Sequence, residues 1–453
     1  VVHVIITPPP TPNGGLHVGH VAGPYLRADL NTRLLRMFGA QAVHASHIDN
    51  YQTYVKRKAD EKQRDVEEFR LDMIAAIERD YAALDMEFGS RIDNTAAPYV
   101  AYLRGCVEEL LGDPRAVAKD EWVTAEGRSA VEAFVSGLCP DCLQQAAANV
   151  CENCGRPLTL PELLAPRAEP SGSGEFKQLP SGVPTVLSIG AEDLRELRRL
   201  HRSITRDDVF IDELVDGLRP HDLTLTLRSE YGFPVGQDRV VNPWIEIFFA
   251  HMYALGQILG LPQSCTLDDV RQVVRSREDL RLTYYFGTDN TYYYAAVLPL
   301  LAVVFGLPGA VPVALKTNRF LRLGGRKISS SRNNAVWAAD FGTSVPVRSA
   351  RSALARSCPE YGERDFVPPD EADEADQRDW AVGRTEFPVA TTPAGRAFAA
   401  ALERLAAPER FTVRDVLNRL TRARDAIDSG RLSAAEAAEL ARMADAVESH
   451  LLL

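Results

Sequence analysis

Two histidines stand three apart in PTPNGGLHVGH, residues 10–20. His17 and His20 can donate hydrogen bonds to phosphate oxygens as negative charge grows there. Gly14 and Gly19 would let a nucleotide approach the backbone closely. The loop enters a helix, whose N-terminus offers unpaired N–H groups and partial positive charge to an anion. Taken alone, a Pro/Gly-rich turn with two incidental histidines is the other reading. Far along the chain, GGRKISSSR (residues 324–332) is a basic loop with three hydroxyls. Such a loop suits closure over a polyphosphate; a solvated surface loop is the alternative.

Four of the seven cysteines are clustered: Cys139 and Cys142 in CPDC, then Cys151 and Cys154 in CENCG. Two CxxC pairs present four thiolates to one tetrahedral Zn²⁺ at about 2.3 Å with no open position, so the metal would be structural. It would hold an insertion too small to fold on its own core. A redox pair is the alternative, although thiol exchange has no need of two pairs. Cys106, Cys265 and Cys358 are scattered. One cluster and an odd total read as a reduced compartment, not a disulfide framework.

The elements that must position these residues emerge from the apolar pattern. VHVIIT (residues 2–7) is a short β-branched run suited to a buried parallel strand. After the Pro/Gly turn, a helix is expected from His17 to Gly39, then a second strand in QAVHASHID, which ends on Asp49. Strand, loop, helix, strand opens a doubly wound α/β domain, whose ligands lie at the carboxyl ends of the strands. Asp49 is there placed to pair an ammonium, or simply to cap a loop. Residues 61–112 read as helices. Residues 113–200 read as an insertion carrying the cysteines, and 201–315 as the second half of the catalytic domain, with LRLTYYFG a strand and YYAAVLPLLAVVFG a helix. Residues 316–369 hold the basic loop and the region after it, with Lys316–Phe341 expected as loop. Residues 370–453 are expected to be an acidic linker (370–379) and two helices, the second capped at Ser433 by Glu436.

Composition bounds the function. The chain has 453 residues, 45% hydrophobic and 25% charged, with a formal net charge of −11. No apolar run reaches the roughly 18 residues that cross a bilayer. No signal peptide precedes the first strand, which predicts a cytoplasmic protein. The acidic total argues against broad nucleic-acid contact. The first residue lies within a strand and the last ones within a helix, as in part of a longer polypeptide.

Together, roughly 300 residues apart, the two loops resemble the HIGH and KMSKS motifs of class I aminoacyl-tRNA synthetases. The opening PTPNGGLHVGH is similar to the P-Y-A-N-G-x-x-H-x-G-H of the methionyl type. The resemblance covers residues 2–365, including the paired cysteines and the PLTLPELLAP after them. It implies a Rossmann-type doubly wound parallel sheet with a zinc-knuckle insertion and C-terminal helices. The implied activity is activation of an amino-acid carboxylate by ATP with Mg²⁺. The resemblance assigns ATP to Pro10, Asn13, Gly14, His17, Gly19, His20, Gly287, Asp289, Arg326, Lys327 and Ser329, with His17, His20, Lys327 and Arg332 catalytic. It assigns the amino acid to Pro9, Thr11, Asp49, His221, Trp244, Ile247, Phe248, His251 and Tyr293, with Asp49 on the α-ammonium.

Departures from the pattern shape the expectation. Thr11 and His221 stand where the family has aromatic residues. Glu246, Ile247, Phe248 and His251 alter the segment after Trp244. Tyr51 and Gln52 replace His and Gly, Thr288 replaces a lysine before Asp289, and Ser330 replaces the second lysine of the basic loop. A few such changes exclude one substrate and admit another, so methionine is not expected. With few residues left for an anticodon domain, a small amine or hydroxyl acceptor is expected, for example an N-hydroxylated amino acid in natural-product biosynthesis. Two alternatives stay open: a genuine tRNA ligase, and an inactive synthetase-like binding module.

Overall fold

A computed structural model describes residues 1–236, 238–328, 334–369 and 387–452, with only the backbone of Lys327. The central element is a six-stranded sheet built from β1 (Val2–Ile6), β2 (Gln41–Ser46), β3 (Ser90–Arg91), β4 (Thr205–Arg206), β5 (Leu280–Gly287) and β6 (Ala314–Asn318), in the order β4-β6-β5-β1-β2-β3. All five pairings are parallel. Strand β1 is central, and Val4, Ile5 and Ile6 are fully buried, because helices cover both sheet faces.

The expected helix after the first loop is present but broken. Its first turn, Val18–His20, gives way to a wider turn at Val21–Tyr25, where Gly23 leaves helical geometry and Pro24 cannot donate. Helix α1 (Leu26–Met37) comes next. Nearly all of it is buried, including Arg27, Asp29 and Arg33. Each of these charges is paired. Arg27 binds Asp207, Glu360 and the Thr317 carbonyl, and Asp29 binds Arg33 and Arg351. Buried pairs of this kind fix how segments meet, and breaking one leaves an uncompensated charge.

Helices α2 (Val66–Ala83) and α3 (Ala97–Leu111) occupy the stretch expected to be helical. Within residues 113–200, short antiparallel pairs surround a small core made by Val135, Ala146, Leu158, Leu160 and Leu163 with the cysteines, whereas the helix that begins at Ala191 packs Leu194 and Leu197 into the main core. Helix α4 (Pro243–Ile258) starts at an Asn242 cap with Pro243 in its first turn.

Two expectations need correction. Lys316–Phe341 is not loop throughout: it contains the end of β6, the hairpin Leu321–Leu323 with Arg326–Lys327, and the start of a helix at Ala338. The polar run KTN hid a buried strand, whose Lys316 reaches the Glu409 carbonyl. Three helices, not two, close the described chain: α5 (Pro393–Ala406), α6 (Val413–Asp428) and α7 (Ala434–Leu452). The Ser433–Glu436 capping box is present. The acidic stretch 370–379 lies outside the described residues.

Candidate active site

The strand order reverses at β1, and there the carboxyl ends of β1, β2, β5 and β6 surround a cavity of about 460 Å³. This is where a doubly wound sheet binds its ligand. Each wall comes from a different strand end.

The loop after β1 brings Pro9, Pro10, Thr11, Asn13, Gly14, His17, Gly19 and His20 to the cavity. The two imidazoles stack with centroids 3.7 Å apart and planes 13° apart. Each Nδ1 accepts the other residue's backbone N–H at 3.3 Å. An accepting Nδ1 carries no proton, so each neutral ring holds its proton on Nε2 as a donor. Gly19 permits the stack, since a Cβ there would lie 3.0 Å from His17 Nδ1.

The end of β2 supplies Asp49, whose N–H donates to the Pro10 carbonyl at 3.0 Å. Thr11 Oγ1 donates to Asp49 Oδ2 at 3.1 Å, while Oδ1 is buried with no partner among the described residues. Burial, and then the charge of Glu246, hold this carboxyl well above the usual range. A buried carboxylate with an open lone pair in a cavity wall can accept from a cationic donor, which would favour its charged form. From β5 come Gly287 and Asp289; a Cβ on Gly287 would fall 2.4 Å from Asp289 Oδ1, so glycine lets that carboxylate fold over the strand end. Trp244, in the first turn of α4, stacks on Tyr293 at 3.5 Å and 5°, and with Ile247 these rings form the apolar wall.

Several assigned residues lie elsewhere. Phe248 is fully buried against Phe249 and Phe305, on the α4 face turned from the cavity. His251 lies a turn deeper, packed on His47, Tyr284 and Tyr294, with both ring nitrogens unpaired among the described residues; burial pushes it down to about 3, so it is neutral. His221 is outside the cavity. Its Nδ1 meets the Arg219 carbonyl at 2.7 Å and so donates, which leaves Nε2 to accept from Tyr292 Oη at 2.6 Å. Arg326 is exposed on the hairpin and does not line the cavity, although Ile328 does. Ser329 and Arg332 lie outside the described residues, as does the side chain of Lys327.

Other lining residues escaped the sequence analysis. Arg319 lies after β6 and pairs with Asp208. Glu132, Val150 and Glu152 come from the inserted subdomain. Glu132 is buried, and its Oε1 accepts from Tyr293 Oη at 3.1 Å and from Asn149; burial pushes its carboxyl up to about 7. Nothing in the local sequence marks it.

The cysteines meet as expected. Sγ atoms of Cys139 and Cys154 are 3.7 Å apart, those of Cys142 and Cys151 are 3.6 Å apart, and all four lie within 4.8 Å of one another. A tetrahedron with about 2.3 Å Zn–S bonds has edges of about 3.8 Å, whereas a disulfide needs about 2.0 Å. All four cysteines are free thiols, and the set fits Zn²⁺.

A family model, tRNA synthetases class I (M), matches residues 3–374. The chain belongs to this family. Relatives of this synthetase include the methionine–tRNA ligase of Methanopyrus kandleri, 27% identical over 376 residues, covering 78% of the chain and 54% of the ligase. The methionine–tRNA ligase of Chlamydia trachomatis serovar D is 26% identical over 370 residues, covering 79% of the chain and 65% of the ligase. The synthetase chain thus spans between half and two thirds of the length of these relatives. Its fold is similar to that of Mycobacterium tuberculosis methionyl-tRNA synthetase in complex with methionyl-adenylate, with a TM-score of 0.63 and 15% identity, covering 99% of this chain and 89% of that one.

Proposed function

We propose that this synthetase activates an amino acid with ATP, forming an aminoacyl-adenylate and releasing pyrophosphate. One observation carries the reading: the stacked His17–His20 pair, the open carboxylate of Asp49 and the Gly287–Asp289 turn converge on one cavity at the switch point of the sheet. The amino-acid carboxylate would attack the α-phosphorus in line, and the bond to the pyrophosphate oxygen would break. Positioning and charge stabilisation then supply the catalysis. His17 and His20 donate from Nε2 to the phosphoryl oxygens, Asp49 holds the α-ammonium, and Asp289 takes the ribose hydroxyls. Lys327, Ser329 and Arg332 are assigned to the leaving pyrophosphate by resemblance alone, and Mg²⁺ would accompany ATP. Zn²⁺ on Cys139, Cys142, Cys151 and Cys154 would support the insertion.

For the second step, the names of the relatives support tRNA as acceptor over the small amine or hydroxyl expected from the sequence. The deciding experiment is amino-acid-dependent ATP–pyrophosphate exchange across a panel of amino acids. Exchange with none of them overturns the reading. Charging of total tRNA by the full-length gene product, beside release of AMP by small amines, then identifies the acceptor.

A further inference from the structure

Away from the cavity, the buried acids are satisfied among the described residues except Glu246, whose Oε2 is buried without a partner there. Asp29 has Arg33 and Arg351, Glu360 has Arg27, and Glu439 accepts from the Thr391 and Thr392 backbone. Glu132 differs from Glu246 in opening on the cavity. It is 6% exposed and lines the same cavity as Asp49, yet it pairs with no cation among the described residues. Both hydrogen bonds it accepts fall on Oε1, which leaves Oε2 without a protein donor among those residues. Arg57 reaches the same turn, but its hydrogen bonds go to the Ala133 carbonyl, Glu61 and Glu169.

The surroundings hold this carboxylate in place. Asn149 donates to Glu132 and to Tyr293 Oη, and Tyr293 is stacked on Trp244. The backbone of Glu132 sits at φ 52° and that of Asn149 at φ 107°, both costly for residues with a side chain. The charge of Glu132 also acts on Asp49. The pair does not make a metal site: among the described residues, the only group of three or more ligand side chains close enough for an ion is the cysteine set. Two buried carboxylates line one cavity, each with an oxygen that no donor among the described residues fills, and a cationic group entering the cavity would complete each of them.

We propose that Glu132, carried by the inserted subdomain, is a second ammonium site in the amino-acid end of the cavity. Its ligand is a primary ammonium other than the one held by Asp49. Two sources have this chemistry: the ω-ammonium of a basic amino acid that is itself activated, or the α-ammonium of a second amino acid bound beside the first. The proposal rests on the adenylation reading for the role of Asp49, but its test does not need turnover.

Titration calorimetry on the whole chain compares L-lysine and L-ornithine with L-norleucine, which lacks the ω-ammonium, for wild type, Asp49→Asn, Glu132→Gln and Glu132→Asn. The asparagine variant guards against misfolding, since Asn tolerates positive φ better than Gln. If the ω-ammonium is the ligand, one lysine binds per chain at least about tenfold more tightly than norleucine, and both Asp49 and Glu132 variants weaken that single event. If a second amino acid is the ligand, two molecules bind per chain, and the Glu132 variants remove one while Asp49→Asn removes the other. Either outcome supports the site. A single binding event that ignores the ω-ammonium and is unchanged in folded Glu132 variants overturns it. Failure of the adenylation reading would show separately, as absent pyrophosphate exchange with ammonium binding intact.

Discussion

His17, which lines the cavity, and Trp337 form an antiparallel β-bridge. Val18 N–H donates to the Val336 carbonyl and Ala338 N–H to the Leu16 carbonyl, each at 2.9 Å. Asp80 on α2 locks the pair from behind, accepting from Leu16 N–H at 2.6 Å and Ala339 N–H at 2.8 Å. The histidine loop is therefore tied to the segment just after the basic loop.

Asp80→Ala removes both anchors. Hydrogen bonds to a charged group contribute about 1.5–3 kcal/mol each, so a stability loss on the order of 3 kcal/mol is expected, with slower pyrophosphate exchange even where the protein stays folded. Urea denaturation beside exchange rates tests this. Unchanged values in both would mean that the bridge does not position His17.

His17→Ala and His20→Ala each remove a preorganised donor and are expected to slow adenylate formation by about 10²-fold or more. Amino-acid binding in the absence of ATP should stay near wild type. A double variant with normal exchange would move the ATP site elsewhere.

Glu246 sets a pH dependence of stability. It is fully buried on α4, accepting from Asn94 and Tyr99 on Oε1 while Oε2 has no partner among the described residues, and burial pushes its carboxyl up to about 7 from 4.5. Below pH 4.5 the group is protonated in folded and unfolded chains alike, so nothing is lost. Between 4.5 and 7 the unfolded chain releases its proton first, so stability falls as pH rises and levels off above 7. The contribution is on the order of 3 kcal/mol. Glu246→Gln should flatten this slope in ligand-free protein, measured as urea midpoints at pH 5 and pH 8. An unchanged slope would mean that other groups carry it.

Zinc removal should reach the cavity. Asn149, which supports Glu132, lies two residues before Cys151, and Val150 between them lines the cavity. Metal analysis should find one zinc per chain. Chelation should lower the melting temperature of the insertion and weaken amino-acid binding more than ATP binding. Full amino-acid affinity after complete metal loss would separate the knuckle from the pocket.

Much of this arrangement was readable from the chain. LRLTYYFG is β5 residue for residue, since a buried parallel strand is a continuous apolar run. Asp49 and the histidine loop were legible as cavity residues because a switch point gathers the residues at strand ends, whereas of the basic loop only Ile328 lines the cavity among the described residues. Residues carried over by position failed where geometry intervenes. On α4, Trp244 and Ile247 share the cavity face, Phe248 is rotated about 100° from Ile247, and His251 lies a turn below. Glu132 was hidden because its direction is set by a left-handed backbone position in an insertion, and its partner Tyr293 lies 161 residues away. Lys316 was hidden because a lysine in a buried strand contradicts its type; the Glu409 carbonyl behind it is contributed by the turn between α5 and α6.

The central place of β1 governs how the chain can be made. Val2 pairs with Gln41 on one side and with Leu280 on the other. At a synthesis rate of about 5–20 residues per second, roughly 15–55 s separate the emergence of β1 from that of its second neighbour. For that interval the nascent sheet has an unpaired apolar strand edge, the feature that recruits strands from other chains. Final closure then depends on contacts hundreds of residues apart, which makes it slow. Expression yield should therefore respond to chaperone supply and to translation speed between β3 and β5 more than to changes at the cavity itself.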